Sequence, residues 1–132
     1  MGDMIAALLF ASAGLLGVEP ACPPITPANV FFTWASDDAT CSYGSPVPCT
    51  AGVPVQFAPI GFGYSFDCSV HTFAWDFGDG FKGATRNAVH AFSSPGSYVV
   101  TLTIATPLAV VVIKEPIVID PHRVPRRRSV QH

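Results

Sequence analysis

The sequence predicts an all-β fold, a sandwich of two antiparallel sheets. Three observations point there. Thirteen prolines and eleven glycines among 132 residues leave little room for long helices and supply many turns. The stretch Phe73-Ala74-Trp75-Asp76-Phe77 alternates aromatic with small or polar residues, so its three rings project from one face of a strand. Tyr98, Val100, Leu102 and Ile104 alternate in the same way with Val99, Thr101 and Thr103. Two strands that each need cover on one face are satisfied when two sheets pack together.

The length accommodates one domain and a leader. Hydrophobic residues make up 49% and charged residues 12%, the latter well under the usual share of about 25%. The net charge of −2 is unevenly distributed. Arg123, Arg126, Arg127 and Arg128 put +4 at the C-terminus, while Lys82, Arg86 and Lys114 stand against all nine acids and leave the body at −6. An acidic body argues against nucleic acid as a partner.

Met4 to Val18 is an apolar run of about fifteen residues. It is shorter than the ~20 of a membrane span and suits the core of a signal peptide. Ala11-Ser12-Ala13 offers a small-x-small cleavage pattern, with cleavage nearer Ala21 as an alternative. The leader has no Lys or Arg, and Asp3 stands where positive charge is expected. Membrane contact is expected only through an uncleaved leader. Pro20 to Pro27 reads as an extended linker, and Val30-Phe31-Phe32-Thr33-Trp34 as a first strand. Ser36 to Thr40 reads as a solvated turn. Its Asp37 and Asp38 fall short of the roughly six to eight oxygens that Ca²⁺ takes.

Four cysteines suit an oxidising compartment and allow three pairings. Cys41–Cys49 is favoured because Gly44-Ser45-Pro46 lets the chain turn back between them, which leaves Cys22–Cys68 by elimination. No C-x-x-C pair stands at metal-ligand spacing.

Val53, Val55 and Phe57 face one way. Pro54 cannot donate to a ladder, so that strand lies at an edge or starts there. Pro59 to Ser69 reads as a Gly- and aromatic-rich loop carrying Phe62, Tyr64 and Phe66. It is a platform for carbohydrate or a protein partner, or else cover folded back and pinned by Cys68. Gly78-Asp79-Gly80 marks a tight turn, Phe81 to Arg86 a short return strand or loop, and Val89 to Phe92 the next strand. His90 has no His, Cys or Ser partner in a catalytic motif. Asp76 and Asp79 sit on a strand and its turn, where an Asp bonds backbone amides, rather than flanking a cleft as paired glycosidase carboxylates do. After the break at Thr106-Pro107, Leu108 to Ile113 is continuously apolar. Lys114-Glu115-Pro116 interrupts it before Ile117-Val118-Ile119. A last strand with no wet face predicts cover on both sides, by the chain's own N-terminal segment or by another subunit. Left uncovered it is an aggregation hazard. Asp120 to His132 reads as a polar, Arg-rich tail.

Trp75-Asp76-Phe77-Gly78-Asp79-Gly80, then His90-Ala91-Phe92, then Pro95-Gly96-Ser97-Tyr98-Val99-Val100-Thr101-Leu102, resembles the PKD domain (polycystic kidney disease repeat) in order and spacing. The resemblance spans roughly Pro48 to Ile119. It implies an immunoglobulin-like β-sandwich used mostly outside cells as a spacer, adhesion or accessory module. It also implies that Trp75, Asp76, Gly78, Asp79, Gly80, His90, Gly96 and Tyr98 define the fold, with Trp75 at the buried centre and His90 structural. The aromatic loop departs from the family pattern, which is often polar there, and Phe81 replaces a small polar residue.

The expected organisation is a leader over 1–21, a Pro-rich linker and first strand over 22–47, the sandwich over 48–119 and a basic tail over 120–132. The expected role is that of a secreted or cell-surface module without catalytic residues, cofactor or metal. It makes structural or adhesive contacts with an extracellular protein, or with itself through the apolar final strand. Phe62, Tyr64, Phe66 and Phe81 are the candidate contact residues. The alternative role is a polysaccharide-binding accessory module of a secreted hydrolase.

Overall fold

A computed structural model describes residues 22–121; the expected leader over 1–21 and the tail from 122 onward lie outside the described residues. Among these residues eight strands follow in order: β1 Val30–Ser36, β2 Cys49–Thr50, β3 Val55–Gly61, β4 Thr72–Asp76, β5 Lys82–Gly83, β6 Ala88–His90, β7 Gly96–Ala105 and β8 Val110–Asp120. They form two sheets, one ordered β2-β8-β7-β4-β5 and the other β1-β3-β6. The pairings are antiparallel except β2 with β8, which is parallel.

The period-two patterns place the core. Val100, Leu102 and Ile104 of β7 and Val111, Ile113, Ile117 and Ile119 of β8 point inward, against Val30 and Phe32 of β1 and Val55 and Phe57 of β3. Trp75 joins the sheets at the centre. It is 1% exposed, meets Phe32 edge-on at 5.1 Å and lies 5.7 Å from Phe57, the geometry aromatic quadrupoles favour. Its indole N–H donates to the Thr85 carbonyl at 2.8 Å, so no polar atom of the ring is left unpaired in the interior.

Several sequence expectations change. The first strand runs on to Ser36 and belongs to the sandwich, so the strands extend from Val30 to Asp120. The stretch before it is no free linker. Ile25 is buried, and Asn29 ties the segment down, its side chain accepting from the Thr26 N–H and donating to the Pro24 carbonyl. Of the two readings of Pro54 the second holds: the strand is central, β3 lying between β1 and β6, and it starts at Val55, directly after the proline. Pro59, expected in a loop, lies inside β3 opposite Phe32, beyond the reach of the short β6. Pro116 does not interrupt the last strand. It pairs with Val99 within a continuous β8, past the end of β2. Both prolines thus stand where a missing N–H disrupts no second ladder.

The last strand also keeps one open face. β8 alternates, with Val111 and Ile113 buried but Val110 64% and Val112 48% exposed. Among the described residues, then, the chain's own N-terminal segment does not cover this face; the other expected cover is a second subunit.

Both favoured cysteine pairings are present. Cys41–Cys49 closes a short loop with Cα atoms 5.0 Å apart, and Cys22–Cys68, at 5.7 Å, ties the N-terminal segment to the β3–β4 connection.

Candidate functional site

The motif residues gather at one end of the sandwich. Asp76, at the end of β4, accepts the Gly78 N–H at 3.0 Å and the Lys82 ammonium at 3.1 Å, and these bonds hold its carboxyl below the usual carboxylate range. Gly78 has φ of 83°, and a Cβ built on it would lie 2.6 Å from the Val99 carbonyl oxygen, so both conformation and space require glycine. Asp79 accepts the Phe81 N–H at 3.2 Å and, through its other oxygen, the His90 Nε2 proton at 2.6 Å. A carboxylate only accepts, so Nε2 carries the proton. The His90 ring stacks 4.3 Å from Phe77 and lies edge-on to Phe92 at 4.7 Å. The turn of one sheet is thereby clamped to β6 of the other. Gly96 opens β7, and Tyr98 donates to the Ser94 carbonyl at 2.8 Å and packs on Phe92. The Asp76 and Tyr98 side chains thus hold turns, and the Asp79–His90 bond joins the two sheets.

The aromatic loop is corrected in part. Tyr64 and Phe66, taken as contact candidates, are buried at 9% and 8% exposure and pack edge-to-face on each other and on His71. Close packing explains this, because Gly61 passes so near the Tyr64 carbonyl that a Cβ would collide with it. Phe62 and Phe81 are 76% and 62% exposed. They stand at opposite ends of β3: Phe62 follows its last residue, while Phe81 neighbours His90, which pairs with Val55 at its start. A strand of that length spans about 20 Å, so they do not form one platform.

Sequence reasoning missed His71. Its Nδ1–H donates to the Ser69 carbonyl at 2.8 Å and its Nε2 accepts from the Tyr64 hydroxyl at 2.7 Å, while burial raises the Tyr64 hydroxyl pKa. A lone His in a loop carries no sequence signal for this role. Arg86, 5.0 Å above the Phe66 ring, roofs the cluster.

Exposed apolar surface lies elsewhere. On the outer face of the larger sheet Val99, Val110, Val112 and Val118 are about half exposed or more. Leu108, at the tip of the β7–β8 hairpin, is 96% exposed. Beside that tip lies an apolar groove of about 490 Å³ between Pro23, Pro24, Tyr64, Pro107 and Leu108. Where β8 passes the 42–48 loop there is a smaller hollow of about 140 Å³. Among the described residues no group of three or more His, Cys, Asp or Glu could hold a metal ion, and no helix is long and apolar enough to cross a membrane.

A profile of the PKD domain family matches residues 35–107. Among solved structures, the chain is similar to the solution structure of the PKD domain from the human VPS10 domain-containing receptor SorCS2. The identity is 19% and the TM-score 0.55, over 88% of this chain and 98% of that one. At that identity the likeness speaks for the fold alone, an immunoglobulin-like sandwich. Among curated proteins none matches the sequence.

Proposed function

Since the chain belongs to the PKD domain family, matched over more than half its length, we propose that it is a non-catalytic extracellular module that makes structural or adhesive protein contacts and associates with itself through β8. The family is typically extracellular, and two disulfides suit that compartment. The observation that carries the reading is the open apolar face of the larger sheet. Val99, Val110, Val112 and Val118 present β-branched surface to solvent on the longest strands. Val110 and Val112 lie together towards the hairpin tip, and Val99 and Val118 lie together beyond Lys114 and Thr101; exposed apolar surface beyond scattered single residues marks a contact site.

Polysaccharide binding is less well supported. Two of the four aromatics it needed are in the core, and the other two lie at opposite ends.

The test is light scattering coupled to size exclusion on the full chain, made under oxidising conditions, over a range of concentrations. A mass that rises with concentration is expected. A monomer throughout would remove self-association and leave a spacer that contacts other proteins.

A further inference from the structure

The outer edge of β8 is open over most of its length among the described residues, because β2 reaches only Ile119 and Asp120. The direction of its backbone groups can be read from the far end. The Asp120 carbonyl accepts the Ala51 N–H at 2.8 Å across that edge. Alternate residues of a strand direct their N–H and C=O the same way, so Val110, Val112 and Lys114 aim theirs at the open edge. Pro116 has the same parity and no N–H to leave unpaired. It ends the usable edge, and the 42–48 loop flanks the strand beyond it.

We propose that a second copy of this chain adds antiparallel to this edge about a two-fold axis at Val112, a pairing that rests on the self-association reading above and gives it a surface. Val112 then faces Val112 of the second copy, and Val110 faces its Lys114. Each facing pair has a donor and an acceptor on both sides. An axis at Lys114 would set two ammonium groups directly opposite, which is destabilising. An axis at Ile113 would pair Val110 with Pro116, which lacks the donor.

The same register brings the hairpin tip of one copy beside Pro116 of the other. Leu108 at that tip is 96% exposed. Beside Pro116 lies the hollow of about 140 Å³, whose lining includes Trp34, Pro46, Val47 and Val118 with Ser42 and Ser45 among them. A space of about that size holds benzene, so it takes one leucine side chain. The chain carries both the projecting residue and the hollow, at positions that the two-fold axis superposes. That self-complementarity selects a second copy over an unrelated extended peptide.

The full chain and two variants, Val112→Pro and Leu108→Ser, are to be compared by light scattering and thermal unfolding. Val112→Pro removes a donor aimed at the open edge and leaves the ladder to β7 intact, so the expected result is a monomer with a nearly unchanged melting temperature. Leu108→Ser should weaken the dimer by about tenfold to a hundredfold. A parent chain that is monomeric at every concentration overturns both this pairing and the self-association reading. A dimer that Val112→Pro leaves intact overturns the edge pairing alone. If Val112→Pro fails to fold, Leu108→Ser decides, and a dimer of unchanged affinity in that variant overturns the proposal.

Discussion

Gly78 shows how narrow the chemistry of one position can be. Its positive φ and the Val99 carbonyl 2.6 Å from a notional Cβ act together, so Gly78→Ala should lower stability by about 1–3 kcal/mol. Denaturant unfolding would read this, and an unchanged midpoint would refute the account. Asp76, two residues earlier, makes the turn sensitive to acid. The Gly78 N–H first, and Lys82 second, hold its carboxyl below the ordinary value. Its stabilisation is therefore present above the unfolded-chain pKa of about 3.9 and is lost as pH falls through the lower folded value. Asp38, held down by Ser36 and Thr40, has the same sign. Melting temperatures between pH 5 and pH 2 should fall less steeply in Asp76→Asn than in the parent. Equal slopes would mean that the bonds to Asp76 do not hold in solution.

At the scale of the element, one short strand depends on covalent support. β2 is two residues long, and its pairing with β8 is anchored by Cys49, which is bonded to Cys41 across the 42–48 loop. Replacing both cysteines by serine should cost about 2–3 kcal/mol in the chain-entropy picture, against about 4 for Cys22–Cys68, which closes the longer loop. Urea midpoints of the two double variants should keep that order. The reverse order would show that strand anchoring outweighs loop length. β8 itself was half legible in the sequence. Its length and apolar character were evident, but a run of Val and Ile gives periodicity no contrast. Only the alternation of Val111 and Ile113 inward with Val110 and Val112 outward shows which side is open.

At the scale of the whole molecule, the sheets share one core through Trp75, Phe32 and Phe57, and a second contact at Asp79 and His90. A small domain with one core unfolds as a unit, so Trp fluorescence and far-ultraviolet circular dichroism should give coincident transitions. Trp75→Ala should lower stability by about 3–5 kcal/mol, a large share of what such a domain has. Separate transitions for the two probes would mean that the sheets are not coupled through this ring.

The sequence by itself determined the all-β class, the turn at Gly78-Asp79-Gly80 and the inward face of β7, because these rest on local sterics and on a period of two that needs no partner to be read. It narrowed the cysteines to a favoured pairing through the turn-forming Gly44-Ser45-Pro46 between Cys41 and Cys49 and, for the other two, by elimination. The tertiary structure decided the rest. Tyr64 and Phe66 are aromatic in sequence whether they face solvent or not, and only the fold of the loop around Gly61 and His71 buries them. Pro59 and Pro116 read as breaks, yet they are tolerated inside strands because neighbours too short to reach them leave no bond to lose. Burial and pairing are properties of what lies opposite a residue, and that is set by contacts between segments far apart in the chain.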